Sequence, residues 1–427
     1  MVNNGILLYI DPGTGSMLFT ILLGVISTGL FFAKKLMMKV KFRISGGKAD
    51  VSSDTLPYVI FSESKNYWTT FKPICDEFER RGIDAVYWTA SKDDPALNEV
   101  YTNVKCEFIG EGNKAFAKLN MMNANICIAT TPGLDVYQWK RSKYVKYYVH
   151  VMHSAATTLL YRMFGMDYYD AILVTGDFQI NEVRELEKVR NDQQKEVVTV
   201  GSLYLDMMKD RFDKAKEKGR NESGEVKSDK RTVLLAPSWG DAAILSLYGE
   251  KIMDALIKTG YRIIIRPHPQ SMKSEKNLID KLMAKYPAGE NLEWDFEPDN
   301  FNTLYRSDIM ITDFSSVMLD FALVFDRPVI YAEYELDKSV YDAWWIDHSL
   351  WQEDTFPKLG APLKEEDFDN LKEIIDAAIS SNEYADARRK AKTEAWMHIG
   401  ESAKRVVDFM TNKTEEIKSA VEDKQTA

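Results

Sequence analysis

Short apolar runs recur along this chain, each followed by a segment of helix length, and this alternation restricts the fold more than any other feature. The first run is Tyr58–Phe61 (YVIF), with a helical stretch near Trp68–Arg81 behind it. Ala85–Thr89, Cys106–Ile109, Asn125–Ala129 (NICIA), Tyr147–Met152, Ala171–Val174 (AILV) and Val197–Gly201 repeat the pattern. Continuous apolar runs, as opposed to alternating ones, predict strands of a parallel sheet buried on both faces. A charged stretch from Lys209 to Arg231 has no apolar anchor after Phe212 and reads as a connector. The alternation then restarts with Thr232–Ala236, Tyr261–Arg266, Leu292–Phe296, Asp308–Thr312 and Pro328–Ala332. The expected architecture is therefore α/β, with two Rossmann-like domains, 56–208 and 232–412, facing each other across a cleft. Residues 209–231 link them, and 413–427 form a polar tail.

Ahead of these halves, the segment Thr14–Ala33 carries no charge. Its 20 residues would span about 30 Å as a helix, the thickness of a bilayer core. Lys34, Lys35, Lys39, Lys41 and Arg43 follow at once, whereas only Asp11 is charged before it. The positive-inside rule then predicts one transmembrane helix with the body on the cytoplasmic side of the plasma (inner) membrane, residues 1–45 being anchor and juxtamembrane segment. A secretory signal would need positive charge ahead of the apolar run. A buried or interfacial helix is the alternative, because Gly24, Ser27, Thr28 and Gly29 dilute the hydrophobicity.

The whole chain carries a formal charge of −10 although its first 45 residues are basic, so the body is acidic. Such a surface is a poor partner for nucleic acid, whose binding depends on phosphate neutralisation. Cys75, Cys106 and Cys127 have neither metal-ligand spacing nor enough members for a disulfide framework, which points to a reducing compartment. No phosphate-loop, dinucleotide or HExxH motif is present, and neither a metal nor a cofactor is expected.

Open α/β sheets bind ligands at the carboxyl ends of their strands, and the chemistry-bearing residues cluster there. Arg266 and His268 follow a strand in RPHP, where two prolines stiffen the turn. Arg266 offers a fork suited to phosphate, and His268 can donate to developing charge. Asp313, Ser315 and Ser316 lie between a strand and a helix, where free amides, dipole and hydroxyls make an anion site; an ordinary N-cap is the alternative. Asp320, one turn on, fits either a supporting role or a helix face. In the first half, His153 ends a strand before Ser154-Ala155-Ala156-Thr157-Thr158 and could serve as a general base, or simply pair with a carboxylate. His150 reads as structural, and Thr130–Gly133 and Thr175–Asp177 as turns able to line a cleft. Trp344, Trp345 and Trp351 fit packing or a substrate platform.

The series VHVMHS, APSW (Ala236–Trp239), RPHP and ITDFSSVMLDFALVFDRPVIYA (Ile311–Ala332) resembles the CDP-glycerol:poly(glycerophosphate) glycerophosphotransferases of teichoic-acid synthesis. The resemblance implies a GT-B-like fold and transfer of glycerol phosphate, or a related alditol phosphate, from a CDP-alditol donor to a lipid-linked or polymer acceptor at the membrane. By the same resemblance His153 is the base and His268 the histidine of the family's HP motif, while Arg266, Asp313, Ser315, Ser316 and Ser238 serve the donor's nucleotide and diphosphate. Two departures stand out. His153 lacks the glycine and lysine of WHGTPLK, and Gly201–Asp206 lacks the arginine of a GxPRxD-like segment. They leave open a GT-B glycosyltransferase using a nucleotide sugar, or a catalytically silent nucleotide-binding subunit.

Overall fold

The computed structural model describes residues 55–220, 222, 224, 230–333 and 337–426. The segment Thr14–Ala33 lies outside them; among the described residues no helix is long and apolar enough to cross a membrane. The described body forms one compact unit starting at Thr55.

Two wholly parallel sheets organise that unit. The first holds β1 (Leu56–Ser62), β2 (Ala85–Thr89), β3 (Val104–Phe108), β4 (Ala124–Ala129), β5 (Val145–Val151), β6 (Ala171–Val174) and β7 (Glu196–Thr199), in the order β3-β2-β1-β4-β5-β6-β7. The second holds β8 (Thr232–Leu235), β9 (Arg262–Ile265), β10 (Leu292–Trp294), β11 (Ile309–Thr312), β12 (Val329–Ala332) and β13 (Ala361–Leu363), in the order β10-β9-β8-β11-β12-β13. Each order reverses once, between β1 and β4 and between β8 and β11, and such switch points are where open α/β sheets hold ligands.

The apolar runs are continuous because both strand faces are covered. In β1, Tyr58 and Ile60 enter one core with the helices Trp68–Arg81 and Ser402–Thr426, while Val59 and Phe61 enter a second on the opposite face. In β8, β9 and β11 the pattern repeats: Val233, Leu235, Ile263, Ile265, Ile309 and Ile311 face one core, and Leu234, Ile264 and Met310 another. At roughly 25 cal/mol per Å² of apolar surface removed from water, a strand committed to both faces has no tolerance for a one-residue slip.

Two boundaries differ from expectation. The stretch beginning at Lys209 continues the helix Leu203–Lys218 for ten residues, with Ala215 buried and Phe212 packed on Tyr305 and Phe325. The final helix, Ser402–Thr426, spans the boundary at 412 and belongs to the first half: Val406, Val407 and Met410 are buried in its core. Its amphipathic spacing predicts a helix equally well on either half, so sequence alone misassigned it.

The return crossing that carries the chain there is tight. A Cβ on Gly176 would lie 1.9 Å from the Glu394 carbonyl oxygen, and one on Gly201, at φ +93°, would lie 2.4 Å from that of Met397. Both obstacles are backbone, so only glycine fits.

Candidate active site

The carboxyl ends of β5, β8, β9 and β11 converge on a cavity of about 310 Å³ whose walls come from both halves. His153, Ser154 and Thr157 line it from the first half, and Ser238, His268, Ser315 and Ser316 from the second. Five of the seven residues singled out from sequence therefore meet in one place.

His153 has its Nδ1 2.8 Å from Thr130 Oγ1 and 3.1 Å from the Tyr161 hydroxyl. The Tyr67 ring stands edge-on at 5.2 Å. Burial lowers the imidazole pKa to about 4, so the ring is neutral near pH 7, the state a base requires. The carboxylate partner that a structural histidine would have is replaced by two hydroxyls. The loop after it is held from the helix Asp177–Arg190. Glu182 accepts from Thr157 Oγ1 at 2.6 Å and from Thr158 N and Oγ1 at 2.7 and 2.8 Å. Gln179 donates to the Ala156 carbonyl at 2.6 Å.

His268 is wired in the opposite sense. The Gln270 amide donates to its Nδ1 at 3.1 Å, which makes Nδ1 the acceptor and puts the proton of the neutral ring on Nε2. Burial lowers its pKa, opposed by Glu275, so near pH 7 it acts as a neutral N–H donor. The indole of Trp239, 40% exposed, lies 6.4 Å from the His268 ring at 33° and forms part of the same wall.

Asp313 lines no part of the cavity; it builds the wall from beneath. Buried to 1% exposure, it accepts from the amides of Ser238 at 2.8 Å, Ile244 at 3.0 Å and Ser315 at 3.3 Å. It thereby stitches the loop after β8 to the turn after β11. Desolvation raises its pKa to about 6 despite these amides. Ser316 occupies the cap of the turn Val317–Leu319, which continues as a π-helix over Asp320–Val324, and its side chain makes no capping bond. Its hydroxyl is free for a ligand.

Arg266 is not part of the cavity. Its guanidinium pairs with the Asp295 carboxylate and donates at 2.6 Å to the Glu297 carbonyl, a strand-end brace. Asp320 is likewise internal, held with Tyr204 and Asn300 and raised to about 8 by burial. Trp351 stacks on Phe178 at 4.1 Å, and Trp344 and Trp345 are exposed away from the cavity. Sequence reasoning missed Tyr161 and Tyr341, which line the cavity from irregular segments, and Gln352, on the short helix Trp351–Thr355, none of which leaves a periodic signal. Gln352 donates to the Phe314 carbonyl at 3.1 Å and so buttresses the serine turn.

The two parallel sheets and the cavity between their carboxyl ends define an α/β protein of GT-B-like build. Wall teichoic acid polymerase TagF soaked with CDPG superimposes with a TM-score of 0.58 at 15% identity, over 92% of this chain and 98% of that one. A second TagF structure gives 0.59 at 16%, over 84% and 89%. A putative UDP-N-acetylglucosamine 2-epimerase from Listeria monocytogenes gives 0.55 at 14%, over 85% and 98%. These likenesses establish the fold. In sequence, residues 128–412 match the CDP-Glycerol:Poly(glycerophosphate) glycerophosphotransferase family. The chain belongs to that family. The minor teichoic acid biosynthesis protein GgaB of Bacillus subtilis (strain 168) is 31% identical over 105 residues, a segment that is 23% of this chain and 11% of GgaB.

Proposed function

We propose that this enzyme moves glycerol phosphate from CDP-glycerol to a lipid-linked or polymeric acceptor, with Thr14–Ala33 anchoring the body at the cytoplasmic face of the membrane. The observation that supports this reading is the single cavity shared by His153 of one half and Ser315, Ser316 and His268 of the other. The acceptor hydroxyl attacks the distal phosphorus of the donor in line; its oxygen–phosphorus bond forms as the bond to the bridging oxygen breaks. His153 takes the hydroxyl proton, and CMP departs with the bridging oxygen. The Ser315–Ser316 turn and the Nε2–H of His268 stabilise the charge on the departing phosphate, an arrangement in which positioned dipoles carry the catalysis. Cytidine lies on the second half, toward Ser238 and Trp239.

The test uses the purified full chain in vesicles carrying a synthetic lipid-linked glycerol-phosphate primer. CDP-glycerol, CDP-ribitol and UDP- and CMP-sugars are offered in parallel. Release of CMP with primer extension from CDP-glycerol is expected. Transfer from a nucleotide sugar alone, or silence on every donor, overturns the reading. His153→Ala is expected to lower turnover by about 10²–10⁴-fold with donor affinity retained; full activity in that variant would remove His153 from the chemistry.

A further inference from the structure

A base imidazole works only if its proton sits on the nitrogen that faces away from the substrate, and a carboxylate usually secures this. Among the described residues no carboxylate hydrogen-bonds either His153 or His150. A chain of hydroxyls and a second imidazole stand there instead. Tyr161 places its hydroxyl 3.1 Å from Nδ1 of His153 and 3.4 Å from Nε2 of His150, whose ring is fully buried. Thr130 Oγ1 approaches the same Nδ1 at 2.8 Å. Tyr67 and Tyr169 close the surroundings with ring contacts at 5.2 and 5.0 Å, and burial, reinforced by the Glu63 carboxylate, raises the proton affinity of the Tyr67 and Tyr161 phenols.

A neutral imidazole nitrogen carries one N–H or one lone pair. If Nδ1 of His153 held the lone pair, both hydroxyls would compete to donate to it. With the proton on Nδ1, that proton goes to the hydroxyl oxygens, and the Tyr161 O–H is released to donate to Nε2 of His150. The protons of His153 Nδ1 and of Tyr161 then have acceptors, and the proton of His150 sits on its Nδ1. His150 carries a buried Nδ1 with no partner, an open loss for a histidine that served packing alone. We propose that Tyr161, backed by His150, is a positioning residue that holds the proton of His153 on Nδ1 and leaves Nε2 as the lone pair for the acceptor hydroxyl. The inference rests on His153 being the base.

The experiment reads the tautomer directly, by long-range ¹H–¹⁵N spectra of the histidine rings in the labelled full chain without donor. Wild type is expected to show the Nδ1–H form of His153. Tyr161→Phe is expected to move it toward Nε2–H and to lower kcat about tenfold, with the donor KM unchanged. Loss of an acceptor for the imidazolium also shifts the acid limb of kcat down by about one pH unit, a change that a packing role would not produce. Thr130→Val, near in volume, is expected to keep the Nδ1–H form. A lone pair on Nδ1 in wild type overturns the inference, as does Tyr161→Phe with unchanged tautomer and pH profile. A tautomer lost in Thr130→Val but kept in Tyr161→Phe assigns the role to Thr130 and overturns it equally. Retained transfer in His153→Ala instead sinks the functional reading beneath it, so the two failures are distinct.

Discussion

Two groups at the cavity titrate in separate acid windows, and they act on separate kinetic constants. Asp313 shapes the donor wall through three amides and is raised to about 6 by burial, whereas His153 is lowered to about 4. As pH falls through about 6, Asp313 gains a proton, loses acceptor strength toward the Ser238, Ile244 and Ser315 amides, and slackens the donor wall. Donor KM is therefore expected to rise below pH 6 while kcat holds until pH nears 4, where His153 takes a proton. Asp313→Asn should show a raised KM that no longer varies across that window. Steady-state kinetics from pH 4.5 to 8 check both statements; a kcat that collapses at pH 6 with KM flat contradicts them. At this scale the sequence indicated residues that gather at the strand ends and not what each one touches. A strand-end arginine and a strand-end aspartate look alike as phosphate-site residues. Their roles were decided by Asp295, which occupies Arg266, and by the three amides that occupy Asp313. Neither partner set leaves a local pattern in the chain.

Among elements, the helix Asp177–Arg190 controls the loop that follows His153, because Gln179 and Glu182 lie one turn apart and both reach into that loop. Burial raises Glu182 to about 7 from its ordinary 4.5 even though three hydrogen bonds favour the carboxylate. A folded-state value above the unfolded one means that the folded chain binds more protons between the two. The stability this group contributes is complete below about 4.5 and is lost as pH rises through about 7. Its share of the slope is at most about 1.4 kcal/mol per pH unit. Melting curves from pH 5.5 to 8.5 should show the wild type losing stability toward high pH relative to Glu182→Gln, whose amide does not titrate there. Parallel curves would remove Glu182 from the linkage. The first twelve strands were legible to within two residues at each end, since a four-to-six-residue apolar run has one economical fate in an α/β chain. β13 was not: Ala361–Leu363 is three residues with a central proline, tolerable only because it is an edge strand paired to β12 alone.

In the proposed mechanism the molecule works only if its halves hold register, because the cavity takes its walls from both, His153 from one and Ser315, Ser316 and His268 from the other. Two crossings secure this, and both are contacts between residues far apart in sequence. Near the cavity, Asp342 is fully buried and reaches from the second half to the Phe164 amide at 2.9 Å and the Arg190 guanidinium at 3.0 Å, beside the cavity-lining Tyr341. At the return crossing, Asp206 accepts from Trp396 Nε1 and the Gly400 amide at 2.8 Å, and from Ser402 N and Oγ at 3.1 and 2.5 Å. Around it Leu205, Met208, Ala155 and Ala156 share one apolar core with Phe321, Leu323 and Trp396. Asp206 stands in the very segment whose missing arginine separates this chain from the family pattern, yet its carboxylate is committed to the crossing and not to substrate. Asp206→Ala leaves four donors to find water or stay unpaired, at a cost of about 2–4 kcal/mol. The proposed donor wall of Ser238, His268, Ser315 and Ser316 lies wholly in the second half, so it is expected to survive loss of the crossing. Calorimetric titration with CDP-glycerol should therefore find donor affinity nearly unchanged in Asp206→Ala, while turnover falls and the thermal transition moves down or splits in two. Equal losses of donor affinity and turnover would mean that the crossing supports the donor wall itself, and that registration of the halves is not what Asp206 provides.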